Sequence, residues 1–324
     1  MKILSSIFKG LIQVGMVVPD LQRSMSKYIK YGIGPIYVLK FHSENVPNMY
    51  VHGKRKNYSM NVGVGTIGDI RFELIEPLSE SIYSEYLQVY GEGVIHHLKL
   101  GVHDYQKTLE YFSNNGIKNI QSGHQLGDKG ENVYTYLDSR STLGFIAEIV
   151  NISPDFIKTQ PDYWFPKDNS DIPEPVFKRL NHIGIVVKDL SRKIEQYENL
   201  YGLKCECVKQ FNSSNITDMC VYGIKKNHSE NVAVFNLEKV QIKLIEALDD
   251  SIFSQFYNRY GEEVVHHLGM KIDDYQKALE FFKSKGIEVI QSGKYLDKIQ
   301  YSYLNTSDDL NFIIEIIDLS AFAD

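Results

Sequence analysis

The sequence predicts an α+β protein built from four βαβββ modules, paired into two tandem domains with curved mixed sheets and helices outside. Three observations carry that expectation. The stretch "YGEGVIHHLKLGVHDYQKTLEYFSNNGIKNIQSG" at 90–123 returns as "YGEEVVHHLGMKIDDYQKALEFFKSKGIEVIQSG" at 260–293, a duplication too long for chance. Within each half a shorter unit repeats, in which Asp20, Asp104, Asp189 and Asp274 each follow an apolar run and open a segment with helical apolar spacing. The remaining runs alternate or are wholly apolar and rich in β-branched residues, as strands require.

The elements follow in order. "LIQVGMVV" reads as a strand, and Asp20 caps a helix that closes at Gly32, where glycine tolerates a left-handed backbone. "NVGVGTIGDIRFELIE" supplies strands. The second module repeats the plan with "VIHHLKLGV", a helix from Asp104 to Gly116 bearing Tyr105, Leu109 and Phe112 on one face, then "NVYTYLD" and "LGFIAEIV". "HIGIVVKDL", "NVAVFNLEKVQIKLIE", "VVHHLGMKI", "IQYSYLN" and "LNFIIEII" repeat the series, with helices closing at Gly202 and Gly286. The expected boundaries are 8–152 and 179–320 for the domains and 153–178 for a proline-containing polar linker, in which Tyr163, Trp164 and Phe165 are suited to pin the chain to a domain surface. This organisation differs from the regular βαβα alternation of doubly wound folds.

Composition narrows the function. With 43% hydrophobic and 23% charged residues the chain can bury real cores, and a net charge of −6 without a Lys/Arg block argues against nucleic acid or an anionic membrane as partner. A small-molecule substrate is the expectation, for a monomer or homodimer. The N-terminal stretch lacks the apolar core and cleavage pattern of a signal peptide, which points to the cytoplasm. Cys205, Cys207 and Cys220 are odd in number and lack C-x-x-C spacing, so neither a disulfide framework nor a zinc knuckle is indicated.

Four polar residues of the first half stand among strand hydrophobes: Gln13, Glu73, His97 and Glu148. Taken singly, each reads more readily as part of a solvated sheet face. Taken together, two carboxylates, an imidazole and an amide share one explanation, since a divalent cation would compensate the cost of burying them. Strand alternation admits one histidine of each "HH" pair to a given site and directs the other elsewhere.

"HIGIVVKDL", "ELIEP", "GEGVIHHLKLGV" and "GFIAEIV", in that order and spacing, resemble the vicinal oxygen chelate superfamily of glyoxalases, bleomycin-resistance proteins and extradiol dioxygenases, with methylmalonyl-CoA epimerase-like members the most similar. The resemblance implies one divalent metal (Zn, Mn, Co or Ni, or Fe in a dioxygenase) inside each curved sheet. It places metal ligands at Gln13, Glu73, His97 and Glu148 in the first domain, with His97 rather than His96 the ligand, and at His182, His267 and Glu315 in the second. Lys243 stands where Glu73 stands, so it either replaces the cation by pairing with Glu315 or accompanies a two-histidine, one-carboxylate triad. The resemblance further implies proton transfer by Glu148 and, in the second domain, by Glu230, whose counterpart is Met60. The expected activity is that of a metal-dependent isomerase or epimerase. A glyoxalase-like lyase, an extradiol-type dioxygenase or a non-catalytic binding protein are the alternatives. Phe41, His52, Tyr58, Phe211 and Tyr222 are expected to line pockets.

Overall fold

The computed structural model describes residues 6–168 and 172–318. The chain divides into two units, one of residues 7–174 and one beginning at Pro175. Asn169, in the expected linker, and residues 319–320 at the expected end of the second domain lie outside the described residues.

Each unit is one mixed sheet with helices on its outside. In the first, the sheet runs Tyr163–Phe165, Ile36–Phe41, Met60–Ile67, Ile70–Pro77, Phe8–Val17, Ile95–Val102, Ile146–Ile152, Glu131–Leu137, Asn119–Leu126, then the hairpin of Tyr50–Val51 and Lys54–Arg55. The middle four strands matter for the site. Phe8–Val17 runs parallel to Ile70–Pro77 and antiparallel to Ile95–Val102, which in turn runs parallel to Ile146–Ile152. The second unit repeats this order from Cys205–Phe211 to Ile224–Lys225, with Val240–Ala247, Phe177–Val186, Val265–Ile272 and Ile313–Ile317 at its middle. The four βαβββ modules are therefore present, two per sheet.

The aspartates start the module helices as their chemistry dictates. The carboxylates of Asp20, Asp104, Asp189 and Asp274 accept from the backbone N–H of Arg23, Lys107, Arg192 and Lys277, at 2.8, 3.0, 2.9 and 3.0 Å. Each such cap contributes on the order of 1 kcal/mol. Past the far ends, Gly32, Gly116, Gly202 and Gly286 all have positive φ, between 64° and 78°, the conformation in which a side chain is strained.

Two helices without an assignment in the sequence reading join the modules: Ile82–Tyr90 and Ile252–Tyr260. Their start signal is a reciprocal cap of two serines, Ser81 with Ser84 and Ser251 with Ser254, which is easily passed over because the usual partner is Glu or Gln. The 153–178 segment also carries structure. Tyr163–Phe165 adds to the edge of the first sheet, Trp164 opposite Tyr37, with ring centroids 5.5 Å apart. Its last residues already belong to the strand Phe177–Val186. Among the described residues no helix is long and apolar enough to cross a membrane.

Candidate metal and substrate site

The four middle strands of the first sheet each contribute one of the polar residues noted above. Backbone register puts Gly15 between Glu73 and His97, and Lys99 between Gln13 and Glu148. Gly15 is needed where it is: a Cβ there would lie 1.8 Å from His97 Cε1, so only a bare backbone leaves space for the ring. Glu73, His97 and Glu148 bring one ligand atom each within 4.8 Å of the others. His97 Nε2 lies 3.1 Å from Glu148 Oε2 and 3.6 Å from Glu73 Oε2. His97 and Glu148 are 0% and 2% exposed, and neither His97 Nε2 nor Glu148 Oε2 has a hydrogen-bond partner among the described residues. Buried, convergent and unpartnered donor atoms of this chemistry fit a divalent cation.

Gln13 is also buried, and its amide oxygen accepts from Lys99 Nζ at 3.4 Å. Lys99 was not singled out in the sequence. Its ammonium lies 3.1 Å from Glu148 Oε1. Burial alone would lower the pKa of Lys99, and the charges of Glu148 and Glu73 overcome that and raise it. Glu148 shows the converse. Burial would raise its pKa, and Lys99 with His97 outweighs it and holds the carboxyl below the usual range. The signal for Lys99 was present as a lone basic residue in an apolar strand, two positions beyond His97 and thus on the same face.

The second sheet repeats the plan with exchanged parts. His182 Nε2, His267 Nε2 and Glu315 Oε2 converge: the two ring nitrogens are 3.3 Å apart, His267 is 3.2 Å from the carboxylate, and His182 contacts it directly. All three are buried. Gly184 leaves space for the His267 ring and Gly269 for His182, since a Cβ at either would lie 1.9 Å from ring carbon. Burial and the nearby Lys243 push His182 down to about 3, so its ring is neutral and can offer a lone pair to a metal. Lys243 Nζ is 3.7 Å from Glu315 Oε2, beyond hydrogen-bond distance. Glu315 stays well below the usual carboxylate range despite its burial, because Lys243 and His182 stabilise the charge. Two imidazoles and a carboxylate fit a divalent transition metal.

The paired histidines are arranged otherwise than alternation predicts. Gly15 pairs with His97 while its neighbour Met16 pairs with Ile95, so a bulge at His96 turns both rings to one side; Gly184, His267, Ile185 and Val265 repeat it. His96 Nδ1 then lies 2.9 Å from His97 Nδ1, and His266 Nδ1 lies 2.8 Å from His267 Nδ1. The rear ring fixes the front ring with its Nε2 toward the cluster, as outer partners of metal-binding histidines do. Burial lowers the pKa of both His96 and His266 well below the ordinary value.

The two sites differ in free space. The first encloses about 40 Å³ beside Glu73, Lys99 and Glu148, lined also by Phe41 and three tyrosines, with Tyr58 behind them bonded to Tyr134 at 2.7 Å. The second encloses about 360 Å³, bounded by Glu315, Lys243, Glu230, Phe211, Phe253 and Tyr303, within the range of small-molecule sites, about 300–1,000 Å³. Glu230 is 6% exposed, and its Oε2 lies 2.9 Å from His228 Nδ1, a residue that is itself buried. Burial, then Glu230 and Glu315, raise the pKa of Tyr301, and the same causes raise Tyr303; the phenols stay neutral and can donate. His52 and Tyr222 line neither of these two cavities, and Tyr222 borders a separate pocket beside Gln276 and Leu279. Both are surface residues, held by Glu85 and Gln255 at 2.8 and 3.0 Å.

The profile of the glyoxalase/bleomycin resistance protein/dioxygenase superfamily matches residues 12–135 and again 181–302. Among solved structures, a mutant 4-hydroxymandelate synthase from Streptomyces coelicolor aligns over 96% of this chain and 92% of its own, with 12% identity and a TM-score of 0.60. Methylmalonyl-CoA epimerase from Mycobacterium tuberculosis aligns over 44% of this chain and 88% of its own, with 20% identity and a TM-score of 0.35. A Streptomyces coelicolor methylmalonyl-CoA epimerase gives 44%, 96%, 21% and 0.34. The comparison with curated proteins gave no match.

Proposed function

Because this chain belongs to the glyoxalase/bleomycin resistance protein/dioxygenase superfamily, we propose that it is a metal-dependent isomerase or epimerase, moving a proton next to a substrate carbonyl in the cavity of the second unit. The observation that carries this reading is that Glu230 and Glu315 line one cavity, together with the neutral phenols of Tyr301 and Tyr303. A substrate there has a base on one wall and the His182, His267 and Glu315 cluster behind another.

When bound by His182, His267 and Glu315, a divalent ion would act as a Lewis acid toward a carbonyl oxygen and acidify the adjoining C–H. Glu230 takes the proton at the substrate carbon. His228 holds the Glu230 carboxylate in place through its Nδ1. Inversion needs a proton from a second donor on the opposite face, for which the neutral phenols of Tyr301 and Tyr303 in the same lining are available. Glu230 then gives its proton to solvent, and solvent restores the phenol; return from Glu230 to a neighbouring atom isomerises the substrate. Val232, Ile245 and Phe253 give the cavity apolar walls around the reacting carbon. In the first unit Glu148 is tied to Lys99 beside much less space, which supports reading the second as the seat of the chemistry.

The test is deuterium incorporation from deuterium oxide into small acyl compounds and cyclic ketones, followed by mass spectrometry with manganese, cobalt, nickel or zinc present. Incorporation that E230Q removes while metal content stays unchanged supports the reading; incorporation indifferent to both E230Q and chelation overturns it. A dioxygenase is the second reading, favoured by the convergence of His182, His267 and Glu315, a two-histidine, one-carboxylate set. Oxygen uptake on anaerobic loading with ferrous iron and addition of a catechol would establish it.

A further inference from the structure

We propose that the second unit's cavity takes a small carboxylic acid, with Lys243 as the group that receives the carboxylate. The proposal rests on the reading of this cavity as a substrate site and names the class of substrate. It starts from charge. Two carboxylates and two ammonium groups line the cavity: Glu230, Glu315, Lys209 and Lys243. Each carboxylate already has imidazole partners, Glu230 with His228 and Glu315 with His182 and His267. Lys209 is exposed at its strand position. Lys243 has Glu315 as its partner among the described residues, at 3.7 Å and hence without a hydrogen bond, and its side chain is 21% exposed. Three N–H donors on a largely enclosed ammonium leave capacity for an anion.

The first unit shows what a satisfied lysine looks like in the same surroundings. Lys99 lies 3.1 Å from Glu148 Oε1 and 3.4 Å from the Gln13 oxygen, with its side chain 14% exposed, and its cavity is small. Lys243 stands at the register position of Glu73, each opposite the site glycine, Gly184 or Gly15. Exchange of a carboxylate for an ammonium at that wall turns it from a cation ligand into an anion receptor. The rest of the wall is mainly apolar, from Phe211, Val232, Val234, Ile245, Phe253 and Ile317, so the acid carries a hydrocarbon or aromatic body. With Lys209 exposed, Lys243 is the one enclosed ammonium of the two in the lining, and no arginine stands there; this fits a monoanionic carboxylate rather than a phosphate, which draws on forked guanidinium or several backbone donors.

The experiment measures binding of a panel of 2-substituted carboxylic acids, each beside its own primary amide, to the intact metal-loaded protein and its K243M and K243R variants by calorimetry. At least one acid should bind tenfold or more tightly than its amide. K243M should bring that acid to the level of the amide and leave the amide unchanged, whereas K243R should retain the preference. Amides that bind as well as their acids, a preference that survives K243M, or a panel without a binding acid would overturn the assignment. The two readings fail separately. Amides that bind and exchange their α-proton equally well remove the anion receptor and keep the isomerase. Acids held through Lys243 without exchange do the reverse.

Discussion

Gly269 and His182 depend on each other: they are register partners on neighbouring strands, and a Cβ on Gly269 would stand 1.9 Å from the His182 ring. At the matching place in the first unit the pair is Lys99 with Gln13. A ring on one strand requires a bare backbone on the next, and where the ring becomes a flexible amide, a long side chain fits opposite. The two sites are therefore exchanged in pairs of residues.

G269A should displace His182 and lower metal affinity of the second unit by about 10–100-fold, the loss seen when a ligand's support is disturbed. Competition titration with a chromophoric chelator measures it, and circular dichroism checks that the fold persists. An affinity equal to that of the parent would refute the dependence.

Metal content should be two equivalents per chain by elemental analysis. E73A should remove one and H182A the other, since each takes a member from a three-residue set. A single equivalent indifferent to H182A would mean that Lys243 stands in for the second ion by pairing with Glu315.

Acid should destabilise the protein from about pH 6.5 downward. His96, His182, His266 and His267 are all buried with folded pKa values below the ordinary one, His182 at about 3. The unfolded chain therefore binds more protons as pH falls through about 6.5, the unperturbed value. More protons on the unfolded side means that stability rises with pH in that window and falls toward acid, by up to about 1.4 kcal/mol per pH unit for each histidine. In metal-free protein, denaturant titrations at pH 7, 6 and 5 measure the slope. H266F should reduce it by about one proton, and an undiminished slope would show that His266 protonates freely in the fold.

E230Q should slow proton exchange by about 10²–10⁴-fold, the usual contribution of a positioned base. H228N should cost less and alter the pH profile, because it changes how the base is held and leaves the base itself. Equal losses in kcat from both variants, with no change in profile, would assign the pair a structural role.

The modules were legible in the sequence because they obey local rules. Asp20 and its three counterparts cap helices, and Gly32 and its counterparts end them. The strand runs bearing Glu73, Glu148 and Glu315 were equally clear, since a charge in an apolar run stands out. Three features were not legible. The bulge at His96 and His266 breaks the alternation that any pattern argument assumes, and it arises from pairing with a strand some 80 residues earlier. Lys99 belongs to the site only because Gln13 and Glu148 flank it across two other strands. The contrast of about 40 and 360 Å³ depends on side-chain packing such as Tyr58 against Tyr134, which residue spacing does not encode.

The small hairpins near the sheet edges bear on how such a chain can be inherited. Tyr50 of the first module pairs with Ser122 of the second, and Ile216 pairs with Tyr295 in the same way. A genetic exchange falling between two modules would hand on a hairpin without its sheet and a sheet without its hairpin. An exchange just after Phe165 severs neither pairing. The unit that can be copied whole is thus a pair of modules, twice as long as the structural repeat from which it is built.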